Sequence, residues 1–193
     1  MGLKTDALDG AVGLPSYMAG HKVQTVVFAL LLAFALAVIL VPLALPAHTV
    51  DLGCCGVVGG GEHSDAISEM ENPAVRFLYQ AGDLNCHQID DRSLFLNGNQ
   101  MPFCSRCAAI FLGMPLGMLA FFVVRRSLNP LWLLLSFVPI GIDGLTQALT
   151  TYESSNAMRI ITGGIAGLAA GYALAYLIAE IGTIKAARPL SPP

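Results

Sequence analysis

The chain has 193 residues, of which 55% are hydrophobic and only 12% charged, with 10 basic against 13 acidic side chains. This composition excludes a soluble domain with a single large core and describes a polytopic membrane protein whose principal solvent is the bilayer. No basic patch or nucleic-acid motif is present, so no nucleic-acid partner is expected.

Residues 1–22 read as a cytoplasmic N-terminal tail carrying Lys4 and Lys22. Residues 23–45 form the first stretch long enough to cross about 30 Å of hydrocarbon at about 1.5 Å per residue. Its apolar run exceeds that of a secretory signal and no convincing small-x-small cleavage site follows, so it is expected to remain as an anchor.

Residues 46–106 form a long acidic segment. Its first part, around Gly53, Gly56 and Gly59-Gly60-Gly61, has neither helical nor strand period and is expected to be a mobile loop. From Asn72 the pattern changes. Pro73 suits a first helical position, and Val75, Phe77, Leu78 and Ala81 give one apolar face to a short interfacial helix that Gly82 can end. A turn-rich loop around Asn97-Gly98-Asn99 then brings Cys86-His87 back towards Cys104 and Cys107.

Three more spans follow at residues 107–124, 130–150 and 157–181. The second contains Pro115, but Gly113 and Gly117 permit close helix packing. Gly163, Gly167 and Gly171 form a comparable ridge on the fourth, usable within the chain or against a larger complex. The chain is thus expected to be all-α, with four transmembrane helices and an external loop and short helix between the first two. Residues 182–193 are a cytoplasmic tail. Lys4, Lys22, Arg125, Arg126, Lys185 and Arg188 all flank one side of this arrangement, which the positive-inside rule assigns to the cytoplasm. A multi-pass protein of the cell membrane follows, with both termini inside and residues 46–106 outside.

That topology gathers the polar residues at the outer end. Cys86, His87, Cys104 and Cys107 are soft donors suited to zinc. Adjacent Cys86 and His87 diverge unless the backbone bends, so His87 is alternatively a base. Asp143 and Gln147 share a helix face, and an intramembrane carboxylate calls for a partner, for which Arg159 is the natural candidate. Asp143 and Glu153 are candidate catalytic carboxylates beside a metal-bound water. Arg92, Arg106, Gln147, Asn156 and Arg159 are candidates for holding a phosphate or carboxylate on a lipid-borne substrate. The same arginines also suit interfacial anchoring, and an Asp–Arg pair also suits a purely structural tie between helices.

Three chemistries fit the cysteines: a metal site in a hydrolase or transferase, a thiol–disulfide redox centre, or disulfides stapling an accessory subunit of a membrane complex. Metal identity, zinc included, and homo-oligomerisation stay open. Cys54 and Cys55 need not join the site.

Cys86-His87-Gln88, Arg92-Ser93, Cys104-x-Arg106-Cys107, Ile142-Asp143-Gly144, Gln147, Glu153-Ser154, Asn156, Arg159 and Thr162-Gly163 together resemble the small prokaryotic membrane protein family called domain of unknown function 2085. The resemblance covers roughly residues 79–171 and implies four spans and a shared polar site, without supplying a reaction. Ala108-Ala109 departs from the usual small residue and glycine, and Cys54 and Cys55 lie outside the pattern.

Overall fold

A computed structural model describes residues 14–53 and 56–187. Lys4, Cys54, Cys55 and Arg188, singled out in the sequence, lie outside the described residues.

Four helices are long and apolar enough to cross a membrane: α2 (Lys22–Ala44), α5 (Ser105–Val124), α6 (Pro130–Leu149) and α7 (Asn156–Ala187). They match the four expected spans to within a few residues, except that α7 runs beyond residue 181. Before them, α1 (Leu14–Gly20) occupies part of the expected tail. Its Tyr17 is buried against Phe122 of α5 and bonds to Gln24, whose amide reaches the Ala175 carbonyl of α7. The chain therefore has two ends: one at α1 and the 125–129 turn, and the other where residues 46–104 cap α2, α5 and α7.

The bundle is built around α5 and α7, whose backbones touch. An added Cβ at Gly163, Gly167 or Gly171 would run into the carbonyl oxygens of Arg106, Ile110 and Met114. In return, Gly113 and Gly117 face Gly164 and Leu168. Small residues at four-residue spacing let the helices approach until carbonyls meet Cα hydrogens, a packing force that works without water. The ridge is thus used within the chain. By contrast α6 is peripheral: among its described residues only Asp143 is buried, while Leu131, Trp132, Leu135, Ile142, Leu145 and Leu149 are exposed.

The cap contains more structure than a turn-rich loop. α3 (Ser64–Ser68) and α4 (Pro73–Asn85) are followed by a 3-10 turn (Asp90–Arg92) and an antiparallel hairpin, β1 (Ser93–Leu96) and β2 (Asn99–Cys104). Asn97 and Gly98 both take positive φ (54° and 73°), the twist that two-residue hairpins require. β2 is buried along its whole length because it runs between α2, α4 and α5. Phe103, Phe34 and Phe111 meet edge-on there, with centroids 4.9 to 5.8 Å apart.

In α4, Asn72 caps the amides of Ala74 and Val75, and Pro73 takes the first position as expected. Gly82 does not end the helix, which continues to Asn85. A side chain at Gly82 would collide with the Pro102 carbonyl and the Gln88 amide, so the glycine serves close contact with β2. The first part of the 46–64 segment is also tied down, since Val50 and Gly53 carbonyls accept from Gln100 and Asp90.

Candidate functional site

The site begins where α4 stops. Cys86 is the extended residue after the last turn, and Gln88 adopts φ +43°, so the chain bends sharply just beyond His87. That bend resolves the difficulty posed by adjacent donors: the Cys86 sulfur and His87 Nδ1 lie 3.9 Å apart. Cys104 arrives from the other side as the last residue of β2 and the N-cap of α5, its amide donating to the Cys86 sulfur at 3.3 Å. The donor atoms of Cys86, His87 and Cys104 all lie within 4.8 Å of one another. Cys107 lies in the first turn of α5, three residues on from Cys104, and is not among these three donors. All three cysteines are free thiols.

Buried amides hold this arrangement. The Gln88 side chain donates to the carbonyls of Tyr79 (3.1 Å) and Pro102 (2.8 Å), and Gln100 donates to the Gln88 carbonyl (2.5 Å) while accepting from the Leu52 amide (2.7 Å). Asn99 accepts from the amides of Thr49 and Val50 and donates to the carbonyls of Pro42 and Pro46. Asn99, Gln100 and Gln88 are fully buried, so each bond is made away from water and its loss leaves an unpaired group. Reading the sequence as a turn-rich loop gave Asn99 and Gln100 no such role. The available signal was Asn97-Gly98, a strong hairpin marker, followed by two amides in an apolar run.

Electrostatics distinguish the three thiols and the imidazole. Hydrogen bonds from Cys107 and then Cys86 push the Cys104 thiol well below its ordinary value. The Cys86 thiol is pushed up, first by its hydrogen bond with Cys104. Burial lowers His87, opposed by the Cys104 charge and assisted by Arg92, Arg159 and Arg106. An imidazole and thiols side by side form a donor set that could hold a metal ion.

The predicted polar residues form two hydrogen-bonded groups. Arg106 donates to Asp143 at 2.5 Å and to Gln147 at 3.3 Å. Asp143 therefore pairs with Arg106, not with Arg159 as the sequence suggested. The reason is geometric: the α5–α7 contact places the first turn of α5 beside the α6 face that carries Asp143. Arg159 instead donates to the neutral Asn156 at 3.3 Å. Asn156 accepts from Ser105 (2.5 Å) and donates to the carbonyls of Asp91 and Ser93, while Ser105 also donates to the Arg92 carbonyl. Arg92 pairs with Glu153 at 3.2 Å on the exposed rim. The candidate polar residues thus fall into an Arg106–Asp143–Gln147 group and an Arg159–Asn156–Ser105–Arg92–Glu153 group, Glu153 at the outer edge.

Comparison with known proteins bears on the same residues. The family described as "Predicted membrane protein (DUF2085)" matches residues 86–173, from Cys86 through the α7 glycine ridge. An uncharacterized protein of Methanothermobacter thermautotrophicus is 37% identical over 95 residues, covering 48% of this chain and 82% of the relative. The chain belongs to this family. An uncharacterized protein of Methanocaldococcus jannaschii is also 37% identical over 95 residues, which are 47% of this chain and 61% of the relative. The chain thus spans about three fifths of that relative's length. No solved structure matches. The DUF2085 match contains every donor and arginine named above, whereas α1, α2 and the segment clamped by Asn99 precede it.

Proposed function

We propose that this DUF2085 protein is a membrane-embedded hydrolase or transferase with a zinc site of Cys86, His87, Cys104 and Cys107, facing the cell exterior and acting on a lipid-borne substrate. The observation that carries the reading is the convergence of three donor atoms, those of Cys86, His87 and Cys104, within 4.8 Å of one another; Cys107 is added from the first turn of α5. With Cys86, Cys104 and Cys107 as its ligands, zinc bound there would keep a fourth position open and supply a Lewis acid and an acidified water.

The protein's own groups then divide the work. Asp143, held on Arg106, and Glu153, on the rim, are the candidate proton acceptors. His87 is either the fourth donor or a neutral base beside the thiols. Arg92, Arg106 and Arg159, with Gln147 and Asn156, hold the anionic part of the substrate. The exterior assignment rests on the basic residues at the opposite end, and it leaves both termini in the cytoplasm.

Elemental mass spectrometry on protein purified without chelator or nickel resin, with free thiols counted on the same sample, tests this. About one equivalent of zinc with the three thiols unoxidised is the expected result. No metal, with those thiols in disulfides, refutes it.

A second reading is favoured by one specific observation, three free thiols where α4, β2 and α5 meet, with the Cys104 amide donating to the Cys86 sulfur. It takes Cys104 and Cys107 as a thiol–disulfide pair exchanging with Cys86. Trapping of a mixed disulfide by a Cys104→Ser variant at normal protein yield distinguishes it. The reading as a disulfide-stapled accessory subunit predicts instead equal loss of yield in all cysteine variants. In that case the apolar face of α6 is the surface left for a partner or a second copy, since the glycine ridge is occupied.

A further inference from the structure

Arg159 is a charge out of place. Its side chain belongs to a residue only 3% exposed, yet among the described residues no carboxylate lies within ion-pair distance of it. It donates instead to the neutral carboxamide of Asn156. It also sits in the first turn of α7, where the helix dipole is positive and opposes a cation. The like charges of Arg92 and Arg106 act on it more strongly than the opposite charges of Cys104 and Asp143. A buried guanidinium without a carboxylate in ion-pair contact costs several kcal/mol, and two more cations and a helix N-terminus near it raise that cost. Such an arrangement persists where an anion completes it.

The neighbours indicate what kind of anion. Arg106 is neutralised by Asp143, but its Nε is buried without a hydrogen-bond partner, as is Gln147 Nε2. Arg92 is held by Glu153, whose side chain is 67% exposed, so that pair is weak and Arg92 is free to turn inward. Donors therefore come from four separate elements: the 3-10 turn, α5, α6 and α7. A carboxylate has one plane and is satisfied by a single fork. Several forks arriving from different directions match the three terminal oxygens of a phosphate.

We infer that Arg159, with Arg92 and the unpartnered donors of Arg106 and Gln147, forms a binding site for a phosphate-monoester dianion beside the cysteine cluster. This deepens the function proposed above and rests on it in taking the arginines as the substrate-holding part of that site. The chemistry is shared by a lipid phosphomonoester headgroup and by a free phosphate.

The test uses the full chain in phosphatidylcholine nanodiscs at low salt, with thermal unfolding and calorimetric titration as readouts. Inorganic phosphate is one probe; phosphatidate in the nanodisc is the other, with phosphatidylglycerol, a diester, as control. Wild type is stabilised by inorganic phosphate, by phosphatidate, or by both, and not by phosphatidylglycerol. Stabilisation by phosphatidate identifies a lipid source, and by inorganic phosphate alone a soluble one. Arg159→Met loses about ten-fold to a hundred-fold in phosphate affinity, while its unfolding midpoint without phosphate is no lower than that of wild type. Arg92→Gln, a change on the rim that leaves the fold intact, weakens the same binding. Absence of stabilisation by either phosphomonoester, or an unchanged affinity in Arg159→Met, overturns the proposal. Zinc is measured on the same samples. Phosphate binding that depends on Arg159 in a protein without zinc leaves this site standing and removes the metal centre, whereas loss of zinc with unchanged phosphate binding in Arg159→Met makes Arg159 a counterion to the thiolates.

Discussion

The tie between α6 and the rest of the bundle gives the most decisive prediction of the fold. Asp143 is the buried residue of α6, and its carboxylate bonds Arg106 at 2.5 Å with side-chain exposures of 4% and 20%. Removing one partner of a fully buried pair costs about 3–5 kcal/mol, because the other charge is left uncompensated. Arg106 keeps a fifth of its side chain exposed, which allows partial rehydration, so each single change (Asp143→Leu or Arg106→Met) is expected to cost about 2–3 kcal/mol. The double variant leaves no stranded charge and returns to within about 1 kcal/mol of wild type, giving a coupling energy of at least about 3 kcal/mol. Denaturation by dodecyl sulfate in mixed micelles measures this, and Trp132, the single tryptophan of the chain, lies on α6 and reports its release. Additive single effects, with a coupling below about 0.5 kcal/mol, would refute the assignment of Arg106 as the partner that holds α6.

Three further outcomes are expected. On the proposed zinc reading, serine at Cys86, Cys104 or Cys107 is expected to abolish metal binding, while Asp143→Asn retains it and loses any hydrolytic or transfer activity; elemental analysis beside a lipid-turnover assay separates the two classes. Gly171→Ala forces a methyl into the Met114 carbonyl and costs about 1–3 kcal/mol, whereas Gly164→Ala meets nothing within 4 Å and is neutral or stabilising, as unfolding midpoints in one detergent will show. Gln100→Leu strands the buried Leu52 amide and the Gln88 carbonyl and destabilises the cap by about 2–4 kcal/mol, seen as faster hydrogen exchange of residues 48–53 and 86–104 with the spans unaffected.

The spans were legible because bilayer thickness imposes a length and composition that no other element shares. Pro115 did not obscure α5, since Gly113 and Gly117 marked a packed helix. The convergence of Cys86, His87 and Cys104 was legible from motif spacing alone. Two things were not. The hairpin was hidden because β2 is buried on both faces and shows no alternation, so Asn97-Gly98 was visible as a turn without its strands. The partner of Asp143 was hidden because periodicity assigns residues to faces of one helix but not the rotation of one helix against another. That rotation is set by glycine contacts between α5 and α7, and it brings Arg106 to Asp143 while leaving Arg159 on Asn156.

β2 enters α5 without an intervening loop, Cys104 being the last residue of one and the cap of the other. In the time order of synthesis this splits the site in two. Its thiols and imidazole lie between residues 86 and 107, so they can meet as soon as α5 has left the ribosome, by closing a short and entropically cheap loop. Arg106 waits for Asp143, and Arg159 is made last. The soft donors therefore precede Asp143, Asn156 and Arg159, and the last helix to arrive closes its charged first turn over them.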